Sequence, residues 1–182
     1  MPRLNPVDVD SQTGTTGDLI AAVKQSMGGV PNMLATMANS PAALAFFLKG
    51  GEALSLGSLS AGVKEQIAVA VGGANACEYC VSAHTMLGAN HGVAKDELAR
   101  NLEGDSSDPK IAAILTFARA VVRDRGFVSD EDLSTVRGAG VTDSEIAEVV
   151  ATVALNIYTN YFNHIAQTTN DFPKVEVGQP IA

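Results

Sequence analysis

The stretch Glu65–His91, EQIAVAVGGANACEYCVSAHTMLGANH, constrains this chain more than any other, because it holds both cysteines and two of the three histidines. On a helix, at about 100° per residue, Cys77, Cys80, His84 and His91 fall in a stripe roughly 60° wide and share one face. Gathering the only thiols of a chain beside an imidazole points to thiol redox chemistry or to metal binding.

The same stretch has to turn. On one continuous helix, at ~1.5 Å per residue, Glu65 and Cys80 would stand about 22 Å apart and the carboxylate could take no part in the chemistry. A reversal near Gly73–Asn75 instead makes neighbours of residues equidistant from the turn, which sets Glu65 beside His84. His84 follows Cys80 by four residues, the helical neighbour spacing, and can accept the proton of its thiol. A carboxylate on the other imidazole nitrogen fixes the tautomer and raises the basicity of the nitrogen facing the thiol, so the expected relay is Glu65, His84, Cys80. Cys77 lies one turn nearer the helix start, where the dipole and free N–H groups favour a thiolate, and it would resolve a sulfenic acid on Cys80 by closing a disulfide.

The rest of the chain reads as helices around this segment. It is 46% hydrophobic and only 5% aromatic, without tryptophan and rich in alanine, a composition that suits closely packed helices better than a β-sandwich. Its length suits one all-α domain. Residues 1–16 read as an extended arm. Helices are predicted from Asp18 to the Gly28–Gly29 pair, from Pro41 behind a Ser40 cap to about Leu56, and from Ser60 to Gly72–Gly73, where the glycines should break the helix. Asn32–Ala38 reads as a turn.

The cysteine helix is expected to start at Asn75 or Ala76 and to run to Asn90–His91. Further helices are expected over Lys95–Leu102, Lys110–Arg123 and Ser129–Arg137, and a long one opens at a Thr142/Glu145 capping box and reaches the stretch ending at Asn170. The helical domain is thus 17–172, a bundle of about seven to nine helices, with a tail at 173–182. No period-2 alternation recurs and no internal repeat is found.

Twelve basic residues against twenty acidic ones give a net charge of −8, and no Lys/Arg cluster stands out, so nucleic acid and anionic membranes are disfavoured as partners. The N-terminus lacks the apolar core of a signal peptide, and no apolar run approaches the ~18 residues that span a bilayer, so a cytoplasmic setting is expected. In that reducing compartment a CxxC pair is redox-active or metal-bound rather than a permanent staple.

Other readings stand beside the thiol relay. Cys77, Cys80 and His84, with a carboxylate or His91, could supply four tetrahedral zinc ligands, although one short helix is a cramped place for them. Buried cysteines also serve as small apolar residues. His91 suits a helix C-terminus through the dipole, or lines the site. His164 bonds across a subunit interface or lines the entrance to the thiol pocket. Phe46, Phe47, Leu48, Met33 and Met37 are core or interface, or else wall a hydrophobic channel. The apolar stripe Ile146, Val149, Val150, Val153, Leu155 and Ile157 exceeds what one small core needs, which predicts a subunit interface.

Glu65, eleven residues, Cys77-Glu78-Tyr79-Cys80, three residues and His84 together resemble the alkylhydroperoxidase D-type core of the carboxymuconolactone decarboxylase-like superfamily. Gly29-Val30-Pro31-Asn32 ahead of a short helix, and Asn160-Tyr161-Phe162-Asn163 in the last helix, resemble its peroxidase-related branch. The resemblance implies an all-helical fold that assembles as a trimer or hexamer, and a thiol-dependent peroxidase acting on hydroperoxides. Its CxxC pair would be regenerated by a thiol or lipoyl-type reductant, with no other cofactor and no metal. Glu65, Cys77, Cys80 and His84 take the relay roles by this resemblance. The chain departs from the best-studied peroxidases at Tyr79, where they carry a histidine. The decarboxylases of the superfamily lack the cysteine pair, so their reaction is not expected. The contrasting expectation is a non-catalytic oligomeric protein whose CxxC is a redox sensor or a zinc site.

Overall fold

The caps read from the sequence do begin helices. Ser40 accepts a hydrogen bond from the Ala43 N–H ahead of Pro41, and Ser60 accepts one from Val63. Asp108 takes the N–H groups of Lys110 and Ile111. Ser129 with Asp132, and Thr142 with Glu145, close reciprocal boxes that satisfy N–H groups otherwise orphaned at a helix start.

The computed structural model describes residues 1–178, and its regular elements among them are nine helices. These are α1 (Gly14–Met27), α2 (Asn32–Met37), α3 (Pro41–Leu54), α4 (Ala61–Ala74), α5 (Glu78–Asn90), α6 (Lys95–Leu102), α7 (Pro109–Arg123), α8 (Asp130–Gly138) and α9 (Asp143–Ala166). The last four residues of the predicted tail, 179–182, lie outside the described residues. No helix among the described residues is long and apolar enough to cross a membrane.

The fold is arranged around α4, which packs against α5, α6, α7 and α9. Its run from Gln66 to Gly72 is wholly buried, so it reads as apolar on all sides rather than along one stripe. Ile67 and Val71 join Leu115, Phe117 and Ala118 of α7, Val136 of α8, and Val149 and Val153 of α9 in the main core. A second core gathers Ile20 and Val23 of α1, Leu34 and Met37 of α2, and Leu44 of α3 beneath Tyr158 and Phe162 of α9.

Several local expectations are corrected. Asn32–Met37 is a helix and not a turn. Leu34, Ala35, Thr36 and Met37 are all buried, so tertiary contact holds a segment too short to display a period. The first helix starts at Gly14 rather than Asp18, because its opening turn has no apolar residue to announce it. The last helix stops at Ala166, where Gln167 turns left-handed at φ 49°.

The Gly72–Gly73 pair does not break α4, which continues to Ala74. The chain reverses at Asn75–Ala76 instead, with Ala76 at φ 54°. The glycines serve close approach: a Cβ on Gly72 would sit 2.9 Å from Val81 Cγ2 of α5, and one on Gly73 would sit 2.5 Å from the Leu102 carbonyl oxygen. Gly73→Ala should therefore destabilise the fold by about 1–3 kcal/mol, overpacking outweighing the helix propensity gained, as read from urea unfolding. A more stable variant would contradict this packing argument.

The predicted interface stripe of α9 is mostly core. Val149 and Val153 are fully buried, and Ile146 and Ile157 pack on them, leaving Val150 43% exposed. Apolar surface is left over on the outer face of α9 with its neighbour α3, where Tyr161 is 54%, Ile165 63% and Phe46 59% exposed.

Candidate active site

The reversal at Asn75–Ala76 lays α5 back against α4 and sets its N-terminus in the interior. Cys77 is the N-cap of α5, so the helix starts at Glu78, later than the sequence suggested. Its Sγ accepts from the Cys80 N–H at 3.4 Å, and its own N–H donates to the Gly72 carbonyl at 2.8 Å. Cys77 and Cys80 form a disulfide, both buried, with their Cα atoms 5.4 Å apart.

Further along the same pair of helices, Glu65 Oε2 of α4 lies 2.6 Å from His84 Nδ1 of α5. Gly88 of α5 faces Glu65 at ordinary contact distance, and what a Cβ there would strike is Leu98 Cδ2 of α6, at 2.7 Å. With Nδ1–H donated to the carboxylate, the neutral ring carries its free lone pair on Nε2, the arrangement a base requires.

Cys80, His84 and Glu65 face a cavity of about 240 Å³, and Cys77 is not part of its lining. The remaining walls are mainly apolar, built from Met33, Leu34, Phe47, Leu54, Leu87 and Phe172, with Lys64 as the one cation. Of the aromatic and methionine residues left open between core and channel, Met33 and Phe47 wall the cavity. Phe46 points outward against Tyr158, Leu48 packs on the second core, and Met37 is buried within it.

Tyr79 lines the cavity as a fixed wall. Its hydroxyl accepts from the Met33 N–H at 3.1 Å, its ring meets Phe172 edge-on with centroids 5.4 Å apart, and Asp171 lies beside it. Burial, helped by that carboxylate, holds its phenol well above the ordinary tyrosine range, so it stays protonated and is no substitute for a relay histidine. Of the two readings of His91 the structure has the helix-terminal one, as the exposed C-cap of α5; His164 is exposed on α9, and the site-lining reading of both is corrected, since neither lines the cavity. Among the described residues no group of three or more His, Cys, Asp or Glu is arranged to hold a metal ion.

Two features carry no role in the sequence reading. Asn163 of α9 places Nδ2 3.3 Å from Cys80 Sγ. Its signals in the sequence were the Asn160-Tyr161-Phe162-Asn163 motif, noted only for its resemblance, and the polar residues Asn156, Thr159, Asn160 and Asn163 along one helix, all of which are buried. The segment after α9 also reaches the cysteines. Phe172 packs against the cluster of Cys77, Tyr79 and Cys80, Asp171 accepts from the Asn32 N–H at 2.9 Å, and the Val175 N–H and Asn170 Nδ2 both donate to Ser82 Oγ. Lys174 pairs with Glu78 at 3.1 Å.

The model of the carboxymuconolactone decarboxylase family matches residues 41–124, which include both cysteines, Glu65 and His84. Among solved structures, the alkylhydroperoxidase D core of a peroxidase-related protein from Ralstonia eutropha JMP134 is 26% identical. Its TM-score is 0.81 over 93% of this chain and 92% of its own. A peroxidase-related protein from Silicibacter sp. TM1040 is 21% identical, with a TM-score of 0.80 over 93% of both chains. The debrominase Bmp8, solved with 2,3,4-tribromopyrrole, is 18% identical, with a TM-score of 0.78 over 93% of this chain and 91% of its own. The latter two likenesses speak to the fold alone. No curated protein sequence matches the chain.

Proposed function

We propose that this chain is an alkylhydroperoxidase D-like member of the carboxymuconolactone decarboxylase superfamily and a thiol-dependent peroxidase using the Cys77–Cys80 pair, a reading supported by the family match and by the likeness to the alkylhydroperoxidase D core. The observation that carries this reading is that Cys80 faces an apolar cavity whose wall also holds the Glu65–His84 pair.

In the reduced protein, His84 Nε2 takes the Cys80 proton while Glu65 steadies the imidazolium. The thiolate attacks the distal oxygen of a hydroperoxide. An S–O bond forms, the O–O bond breaks, and the alkoxide leaves as an alcohol on receiving the proton from His84. Cys77 then attacks the Cys80 sulfenic acid and closes the disulfide, and the displaced hydroxide leaves as water with the Cys77 proton. A thiol or lipoyl-type dithiol returns the two electrons by exchange through a mixed disulfide. We place this chemistry in the cytoplasm, where such reductants are maintained.

Steady-state consumption of cumene hydroperoxide with dihydrolipoamide or dithiothreitol as reductant tests the reading. Turnover is expected with the wild-type chain. Oxidation of both thiols without turnover would assign a redox sensor instead, and thiols left intact would sink both. The apolar walls favour a second reading, reduction of a halogenated aromatic ring, the kind of reaction that gives Bmp8 its name. One carbon–bromine bond would be exchanged for carbon–hydrogen, with bromide released and the same two thiols oxidised. Bromide release from 2,3,4-tribromopyrrole under dithiol distinguishes it.

A trimer or hexamer is part of this proposal. The outer face of α9, carrying Val150, Tyr161 and Ile165, offers the apolar surface that assembly would cover. Light scattering at micromolar concentration should give a multiple of 18.8 kDa, and a monomer mass would count against assembly.

A further inference from the structure

Asn163 is an amide whose donor group meets only sulfur. It is 5% exposed, with Nδ2 3.3 Å from Cys80 Sγ and 3.1 Å from Met33 Sδ, and its Oδ1 is buried without a partner among the described residues. Disulfide and thioether sulfurs accept hydrogen bonds weakly, so the oxidised state leaves this side chain poorly satisfied. A leucine of similar size would fill the place with no orphaned oxygen. A thiolate at Cys80, by contrast, is a fully charged acceptor and bonds an amide N–H strongly.

We infer that Asn163 is a further catalytic residue: its Nδ2 donates to the Cys80 thiolate, favours ionisation of that thiol, and holds the sulfur toward the cavity. The neutral thiol gains little from the same amide, even with the side chain turned to present Oδ1, because S–H is a weak donor. Asn163 therefore biases the equilibrium toward the attacking form: His84 removes the proton and Asn163 stabilises the charge left behind. The inference rests on the proposed role of Cys80 as the reacting thiol.

The test is the pH dependence of iodoacetamide alkylation in a Cys77→Ser background, where Cys80 is the sole thiol and serine is an able N-cap. The titratable groups around Cys80 are His84, Glu65, Lys64 and Tyr79 on α4 and α5 and Asp171 on the C-terminal segment. The cavity-lining residues of α1, α2, α3 and α9 add none, so all of these groups stay constant across the series. Asn163→Leu should raise the apparent pKa of Cys80 by about one unit, with roughly tenfold slower alkylation below that pKa. Asn163→Ala, which adds no bulk, should do the same if the leucine variant fails to fold. An unchanged alkylation profile in a folded variant, even one with a lowered melting temperature, would overturn the inference and leave Asn163 a packing residue. Alkylation involves no peroxide, so a protein without peroxidase turnover but with this pKa shift would refute the proposed function and keep the role of Asn163.

Discussion

Cys80→Ser should abolish turnover with every hydroperoxide and reductant, whereas Cys77→Ser should undergo a single oxidation that stops at a sulfenic acid on Cys80. The asymmetry follows from position. Cys80 is part of the cavity wall, while Cys77 caps α5, gives its sulfur to the Cys80 N–H, and does not face the cavity. The helix dipole would favour a thiolate at Cys77, but a nucleophile also needs a route to its substrate, and only Cys80 borders one. Dimedone labelling with peptide mapping reads the outcome: label on Cys80 in the Cys77→Ser protein and none on Cys77 in the Cys80→Ser protein. The opposite pattern would reverse the roles.

The second large effect concerns the base. His84→Ala should slow peroxide-dependent oxidation of Cys80 by about 10²–10³-fold at neutral pH, within the range that general acid–base catalysis supplies. Glu65→Gln should cost less, about tenfold, because the imidazole remains but loses the carboxylate that orients it and balances its charge. For alkylation of Cys80, which needs only the thiolate, the His84→Ala deficit should shrink above pH ~8.5, where a thiol ionises unaided. Stopped-flow oxidation and alkylation across pH measure both. A His84→Ala protein that reacts as fast as wild type at pH 7 would show that the pair at 2.6 Å is structural.

These predictions draw on a site that was partly legible from the chain alone. The neighbourhood of Glu65 and His84 follows from residue spacing once a reversal is placed between α4 and α5, because two adjacent helices pair residues equidistant from their turn. The caps were legible for a similar reason, since Ser129 with Asp132 and Thr142 with Glu145 satisfy their own helix starts within three residues. What depended on packing between distant segments was not legible. Gly72 and Gly73 look like helix breakers until Val81 and Leu102 press against them. Asn163 meets Cys80, and Phe172 meets the cluster of Cys77, Tyr79 and Cys80, only because α9 and the segment after it fold across α5. The α9 stripe looked surplus because the sequence does not state how much of one helix its own core consumes. His91 and His164 were candidates to line the site by residue type, and geometry leaves both outside the cavity wall.

A peroxidase built on Cys80 and Cys77 must consume its two thiols together with a hydroperoxide. Anaerobic titration of the reduced chain with cumene hydroperoxide, following free thiols, peroxide and intact mass together, measures this directly. The predicted result is two thiols lost per hydroperoxide consumed, with a mass falling by two hydrogens and a rate well above that of free cysteine under the same conditions. Thiols that persist, or that disappear no faster than free cysteine, would contradict a peroxidase built on Cys80, His84 and Glu65.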